Sequence, residues 1–274
     1  MPAPFSTFQK VLPGTVVSWK QPRTLAKVLF NGMSPTKIPT ENRYFGGVGL
    51  KDRESVMISG VWKESYSVAD DLFKEISPYP SYYFVNVVKV QPMIKNPDNH
   101  LRLPSSVWKR VQVKDKSTLD YRKKLRKLWR NDRGPLTSDC WTQPLHSHIT
   151  SPFGKARTLP NGVVYFHTGV DLRAWSGTTL RAIADGVVAL AQKSAVPGNT
   201  VIIYHGGGVY SQFMHMSKIE VKPNQKVKKG EVLGLSGSTG RAEGPHLHWE
   251  MHWNGRTIDP FSFVKTIGHH CGLT

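Results

Sequence analysis

Two stretches far apart in this chain carry side chains whose types and spacing can do chemistry: His167-Thr168-Gly169-Val170-Asp171, and Gly244-Pro245-His246-Leu247-His248-Trp249-Glu250. The second reads as a β-strand because its apolar residues alternate. Leu247, Trp249, Met251 and Trp253 point one way; His246, His248, Glu250 and His252 point the other. Two imidazoles in succession are an unusual choice for a solvated strand face. With His167 and Asp171 four residues apart, the chain offers two neutral nitrogens and one carboxylate. That is the donor set of a catalytic zinc site with three protein ligands and an open fourth position.

Such a site would hydrolyse a bond. Zn²⁺ takes His nitrogen and Asp oxygen at roughly 2.0–2.2 Å and lowers the pKa of a bound water to about 7. Amide hydrolysis further needs a base for that water and a donor for the oxyanion or the leaving amine. The His-Glu-x-x-His pattern of carboxylate-based zinc proteases is absent, and histidine can take that role because it titrates near neutral pH. His246 shares a strand face with His248 and should stand beside the metal. His215 ends the stretch Tyr210-Ser211-Gln212-Phe213-Met214-His215, a further strand whose alternation sets Ser211, Phe213 and His215 on one face.

Seven ordered blocks between about Ser151 and Pro260 resemble the lysostaphin/LytM family of zinc peptidoglycan endopeptidases. They are Ser151-Pro152-Phe153-Gly154, His167 to Asp171, Ala184-Asp185-Gly186-Val187-Val188, Met214-His215-Met216-Ser217, Val227-Lys228-Lys229-Gly230, Gly237-Ser238-Thr239-Gly240 and Gly244 to Glu250. The resemblance implies His167, Asp171 and His248 as the Zn²⁺ ligands, and His215 and His246 as unligated histidines that assist the chemistry. It implies peptidoglycan as the partner and a narrow groove with zinc at its floor. The departures are Phe213 for a usual Tyr, Met216 for Leu and Asn224 for Gly; none touches an implied ligand, and Asn tolerates the left-handed turn that Gly would supply.

The elements that must position these residues read as mainly β. Short β-prone runs separated by Gly-rich turns occupy Gly186 to Leu190, Asn199 to Tyr204, Gly208 to Met214, Glu231 to Leu235 and His246 to Met251. They predict an antiparallel β-sandwich or barrel-like domain over 136–274 with no long helix; the resemblance makes this the peptidase domain and implies loops 155–166, 192–199 and 237–245 as the walls of its groove. Residues 1–115 lack helical periodicity. Thr15 to Trp19, Ser55 to Trp62 and Tyr82 to Val90 suggest a small β-rich N-terminal domain. Between the two, over 116–135, Ser117 and Asp120 form a capping box, and Tyr121, Leu125, Leu128 and Trp129 make one apolar stripe. The positions between them are mostly Lys and Arg, so this is a basic connecting helix that packs its apolar side on a domain.

The chain has 274 residues, 39% of them hydrophobic, and a formal net charge of +18. Its length suggests two domains, and no run of apolar residues is long enough to span a membrane. A nucleic-acid role would use the charge, but no nucleic-acid module is recognisable. Wall carboxylates and phosphate-bearing wall polymers account for it better, by concentrating a basic enzyme on them. A monomeric enzyme is expected in the periplasm or outside the cell. The start Met1-Pro2-Ala3-Pro4-Phe5 lacks signal-peptide features, so a mature form with an added Met is expected. Cys140 and Cys271 bracket the second domain and suggest a disulfide joining its ends. His146 and His148 read as surface residues before a strand, and His205 as a strand end before Gly206-Gly207-Gly208. His269-His270-Cys271 lacks the partners of a metal cluster. A glycine-bridge endopeptidase and a non-catalytic wall-binding regulator on the same fold stay open beside the cutting of D-alanyl–diaminopimelate cross-links. No residue in the sequence decides which bond is cut.

Overall fold

The computed structural model describes residues 100–112, 116–129, 134–138 and 140–267, and before them the seven strands that follow. These are β1 (Lys10–Val11), β2 (Val16–Lys20), β3 (Leu25–Phe30), β4 (Thr36–Lys37), β5 (Arg43–Gly47), β6 (Ser55–Trp62) and β7 (Tyr83–Val90). They form a sheet of order β1-β7-β6-β3 and a second of order β2-β5-β4, antiparallel except for β1 on β7. The runs read as strands at 15–19, 55–62 and 82–90 coincide with β2, β6 and β7 to within a residue.

Two helices follow, α1 (Ser105–Gln112) and α2 (Lys116–Leu128). The first corrects the reading of 1–115 as free of helical periodicity. Its two turns repeat too few apolar positions (Val107, Trp108 and Val111) to stand out, although Pro104 marks its start. The second begins at Lys116, one residue ahead of the expected Ser117 cap. Asp120 is engaged with Lys124, 3.0 Å away on the next turn. The apolar stripe behaves as its spacing demands: Tyr121, Leu125, Leu128 and Trp129 close over Leu190, Ile202 and Tyr210. The Tyr210 hydroxyl donates to Leu128 O at 2.8 Å, and Trp129 meets the Tyr210 ring edge-on with centroids 4.9 Å apart.

The remaining strands are β8 (Ile149–Ser151), β9 (Ala156–Thr158), β10 (Val164–Phe166), β11 (Val170–Arg173), β12 (Thr179–Arg181), β13 (Gly186–Ser194), β14 (Gly198–Tyr204), β15 (Val209–Met216), β16 (Lys218–Ile219), β17 (Lys226–Val227), β18 (Val232–Leu235), β19 (His246–Trp253) and β20 (Arg256–Ile258). A large antiparallel sheet runs β17-β13-β14-β15-β19-β11-β8, with β20 on β19. A small sheet, β12-β18-β16, lays Leu180 and Leu233 into the same core as Val201, Phe213, Leu247 and Trp249. The sheets do not close into a barrel. A short helix, α3 (Pro260–Ile267), adds Phe263 and Ile267 to that core. Asn224 adopts φ +68°, the left-handed turn expected of it. Cys140 is disulfide-bonded, while Cys271, with His269 and His270, lies outside the described residues. Among the described residues no helix is long and apolar enough to cross a membrane.

His205 is fully buried. Its Nδ1–H donates to Asp185 O, and its Nε2 accepts from Ser211 Oγ, both at 2.8 Å. Burial outweighs these contacts and drives its pKa down to about 4. A histidine depressed on folding stabilises fully above its unfolded pKa near 6.5, and that stability is lost as pH falls toward 4, because only the unfolded chain accepts the proton. Urea unfolding at pH 7 and pH 5 should therefore show a loss of roughly 2 kcal/mol attributable to this residue. The wild-type pH dependence should exceed that of His205→Asn by this amount. Equal slopes would remove His205 as the cause.

Candidate metal centre

Strand β19 is an interior strand of the large sheet, paired with β15 on one side and β11 on the other. Its alternation is the one expected: Leu247, Trp249, Met251 and Trp253 are fully buried in the core. His246, His248, Glu250 and His252 face a groove of about 1160 Å³. Asp171 on β11 is directly opposite His248, and His167 precedes that strand by a tight Thr168-Gly169 step. A Cβ at Gly169 would lie 2.4 Å from Trp249 O and 3.0 Å from His248 Nε2. Only glycine lets the two segments approach this closely.

Three lone pairs converge. His167 Nε2 lies 3.0 Å from Asp171 Oδ1 and 3.0 Å from His248 Nδ1, and the last two are 2.8 Å apart. Atoms on a tetrahedral ion with bonds near 2 Å are separated by about 3.3 Å, so this buried set can hold one small cation. The outer ring nitrogens are tied down in the way that frees the inner ones. His167 Nδ1–H donates to Pro152 O at 2.9 Å, and His248 Nε2–H donates to Glu250 Oε1 at 3.0 Å. Glu250 also accepts from Thr168 Oγ1 and, at 2.9 Å, from His252 Nε2. His252 in turn stacks on Trp129, 4.3 Å between centroids.

The electrostatics favour positive charge here. Burial opposes ionisation of Asp171, but hydrogen bonds to His167 and His248 hold its carboxyl far below the usual range. Arg157 binds its other oxygen, Oδ2. Burial likewise opposes a charge on His248, yet its hydrogen bonds to Asp171 and Glu250 lift it to about 9. A proton and a metal ion compete for that lone pair, so a cation binding there would displace the proton.

His246 and His215 stand beside this cluster. His246 Nδ1–H donates to Gly244 O at 2.9 Å, which leaves Nε2 3.6 Å from Asp171 Oδ1. His215 Nδ1–H donates to Thr239 O at 2.8 Å, and its ring lies 4.9 Å from that of His246 and 5.9 Å from that of His248. Burial, then the neighbouring His246 and His248, push His215 well below its ordinary pKa; burial also lowers His246. Both rest as neutral imidazoles.

One expectation needs correcting. Strict alternation groups His215 with Ser211 and Phe213, but Phe213 is in the core, while Gln212, Met214 and His215 line the groove. A register shift against β14 inserts one extra residue in β15, and His215 takes φ +61°. That bulge turns the ring onto the groove side. The proposed wall loops do line the groove, through residues such as Arg157, Tyr165, Val196 and Arg241. His146 and His148 are exposed ahead of β8, away from the cluster. Two further residues, Glu250 and Arg157, support the site. Glu250 was visible on the histidine face of β19, two positions after His248; Arg157 has no local sequence signal.

The profile described as Peptidase family M23 matches residues 165–260. The chain is 40% identical over 121 residues to the DD-carboxypeptidase/endopeptidase Mpg of Neisseria meningitidis serogroup B, covering 44% of this chain and 28% of that protein. It is 43% identical over 112 residues to the peptidoglycan DD-endopeptidase ShyA of Vibrio cholerae, covering 40% and 26%. The chain therefore spans about a quarter of the length of these relatives. A crystal structure of a peptidase M23 from Pseudomonas aeruginosa superposes with a TM-score of 0.61 over 92% of this chain and 94% of that one. At 23% identity, that likeness shows the fold.

Proposed function

We propose, from the premise that residues 165–260 form a domain of the M23 metallopeptidase family, that this protein is a zinc endopeptidase that hydrolyses peptide cross-links of bacterial peptidoglycan outside the cytoplasm. The observation that carries the reading is the convergence of His167 Nε2, Asp171 Oδ1 and His248 Nδ1 at the groove floor, with two neutral histidines beside them. These three atoms would hold zinc, which when bound would supply the Lewis acidity to acidify a water and polarise the scissile carbonyl. His246 and His215 each present a free Nε2, because Nδ1 of each is committed to a backbone carbonyl. Such a pair takes a proton from the attacking water and returns it to the leaving amine. Glu250 and Pro152 O fix the tautomers of the two ligating imidazoles, and Arg157 keeps Asp171 turned so that Oδ1 faces the cluster.

The bond cut is the D-alanyl–diaminopimelate cross-link. Two relatives that share the matched region are named for DD-endopeptidase activity, and the formal charge of +18 suits a wall rich in carboxylates and anionic polymers. Purified walls of the diaminopimelate and glycine-bridge types, incubated with the zinc-loaded protein, test this. Mass spectrometry of the released peptides should find the first type cut at the D-alanyl bond and the second intact. Release from glycine-bridged walls alone would transfer the assignment to that bond. Binding without release from either would leave a non-catalytic wall-binding role.

A further inference from the structure

The groove wall that holds both assisting histidines also carries a cation with no carboxylate of its own. Thr239 O anchors His215 and Gly244 O anchors His246; Arg241 lies between those two anchors in the chain. Its backbone is pinned. Arg241 N–H donates to Val196 O at 2.8 Å, and Gly240 packs so tightly that a Cβ there would lie 2.3 Å from Gly198 N. The Arg241 guanidinium sits over the ring of Tyr165 on the opposite groove wall, 5.1 Å from its centroid. Among the described residues no carboxylate pairs with it. The acid nearest in sequence, Glu243, accepts instead from the backbone N–H of Arg102. The other groove arginine near the ligands, Arg157, is committed to Asp171.

A guanidinium held against an aromatic face keeps its plane fixed and its N–H edge available for a planar anion. We propose that Arg241 reads a free carboxylate on the residue that supplies the scissile nitrogen, so that cross-links bearing this carboxylate are cut in preference to those lacking it. This rests on the endopeptidase reading above and bears on the choice that the sequence left open. In a D-alanyl–diaminopimelate cross-link the carbon attached to the scissile nitrogen carries a free carboxylate. In a glycine bridge the same carbon carries only hydrogens and the next amide. Arg241 enters as a binding residue whose side chain discriminates between substrates, without moving a proton.

The test uses the full zinc-loaded protein and two soluble cross-linked peptides that differ only at that carboxylate, free in one and carboxamide in the other. Cleavage is followed as kcat/KM. Binding is measured with the same pair N-methylated at the scissile nitrogen, so that neither is cut. A charge-assisted hydrogen bond of ordinary strength gives about a tenfold preference for the carboxylate form in both measurements, read in KM rather than kcat. Arg241→Gln should bring that ratio close to one, and Arg241→Lys should restore part of it. A wild-type protein that treats the pair alike, or a preference that survives Arg241→Gln, overturns the proposal. Selective binding lost in Arg241→Gln but with no cleavage of either peptide would uphold carboxylate reading and defeat the endopeptidase assignment instead.

Discussion

His248→Ala and Asp171→Ala should each yield a protein that retains no zinc and lyses no wall, where the wild type carries about one zinc per chain. Each of the three converging atoms, 2.8–3.0 Å apart, is a third of the donor set, so losing one leaves two protein ligands. The two variants differ in their side effects. Asp171 also neutralises the half-buried Arg157, so its removal leaves a poorly solvated cation and should cost stability on the order of 3 kcal/mol. His248→Ala leaves Glu250 still bonded to Thr168 and His252, but removes the buried ring that bridges Asp171 and Glu250, so it should unfold below the wild-type temperature when both are compared without metal. Metal content by plasma emission spectroscopy, beside wall turbidity, reads the result. Full activity in either variant would sink the ligand assignment.

His246→Ala and His215→Ala should show the opposite pattern, with zinc retained and turnover down by about 10²-fold or more, the usual scale for losing a general acid or base. Neither ring nitrogen belongs to the converging set. Each is instead fixed by a backbone carbonyl with Nε2 left open. The His215 position calls for a second variant, because its φ of +61° strains most side chains. His215→Asn tolerates that backbone and removes the imidazole, so its loss of rate reports chemistry with little contribution from strain. A folded variant at either position that has shed its zinc would show that the roles are exchanged.

The face of β19 was legible because β alternation has no freedom: once Leu247, Trp249 and Trp253 are core, His246, His248 and Glu250 must share the other side. The stripe on α2 was legible for the same reason at helical period. His215 was not, since one extra residue in β15 reverses the parity, and a bulge leaves no mark in a pattern of apolar residues. Arg157 meets Asp171 from a different hairpin, a contact set by tertiary packing. The helix at 105–112 is too short for its periodicity to rise above that of the strands before it. The wall loops follow from the resemblance, but the turn of Arg241 onto Tyr165 follows from backbone contacts at Val196 and Gly198 that lie more than 40 residues away in sequence.

The packing of α2 changes what counts as the boundary of the groove-bearing unit. The matched stretch starts at residue 165, and a fragment cut at 136 would look complete by that measure. Such a fragment would leave Leu190, Ile202 and Tyr210 bare to solvent and take away the indole on which His252 rests. His252 braces Glu250, and Glu250 braces the ligand His248. Shortening the chain there would therefore expose an apolar face and loosen the support of His248, and a fragment that keeps this packing has to begin no later than Lys116.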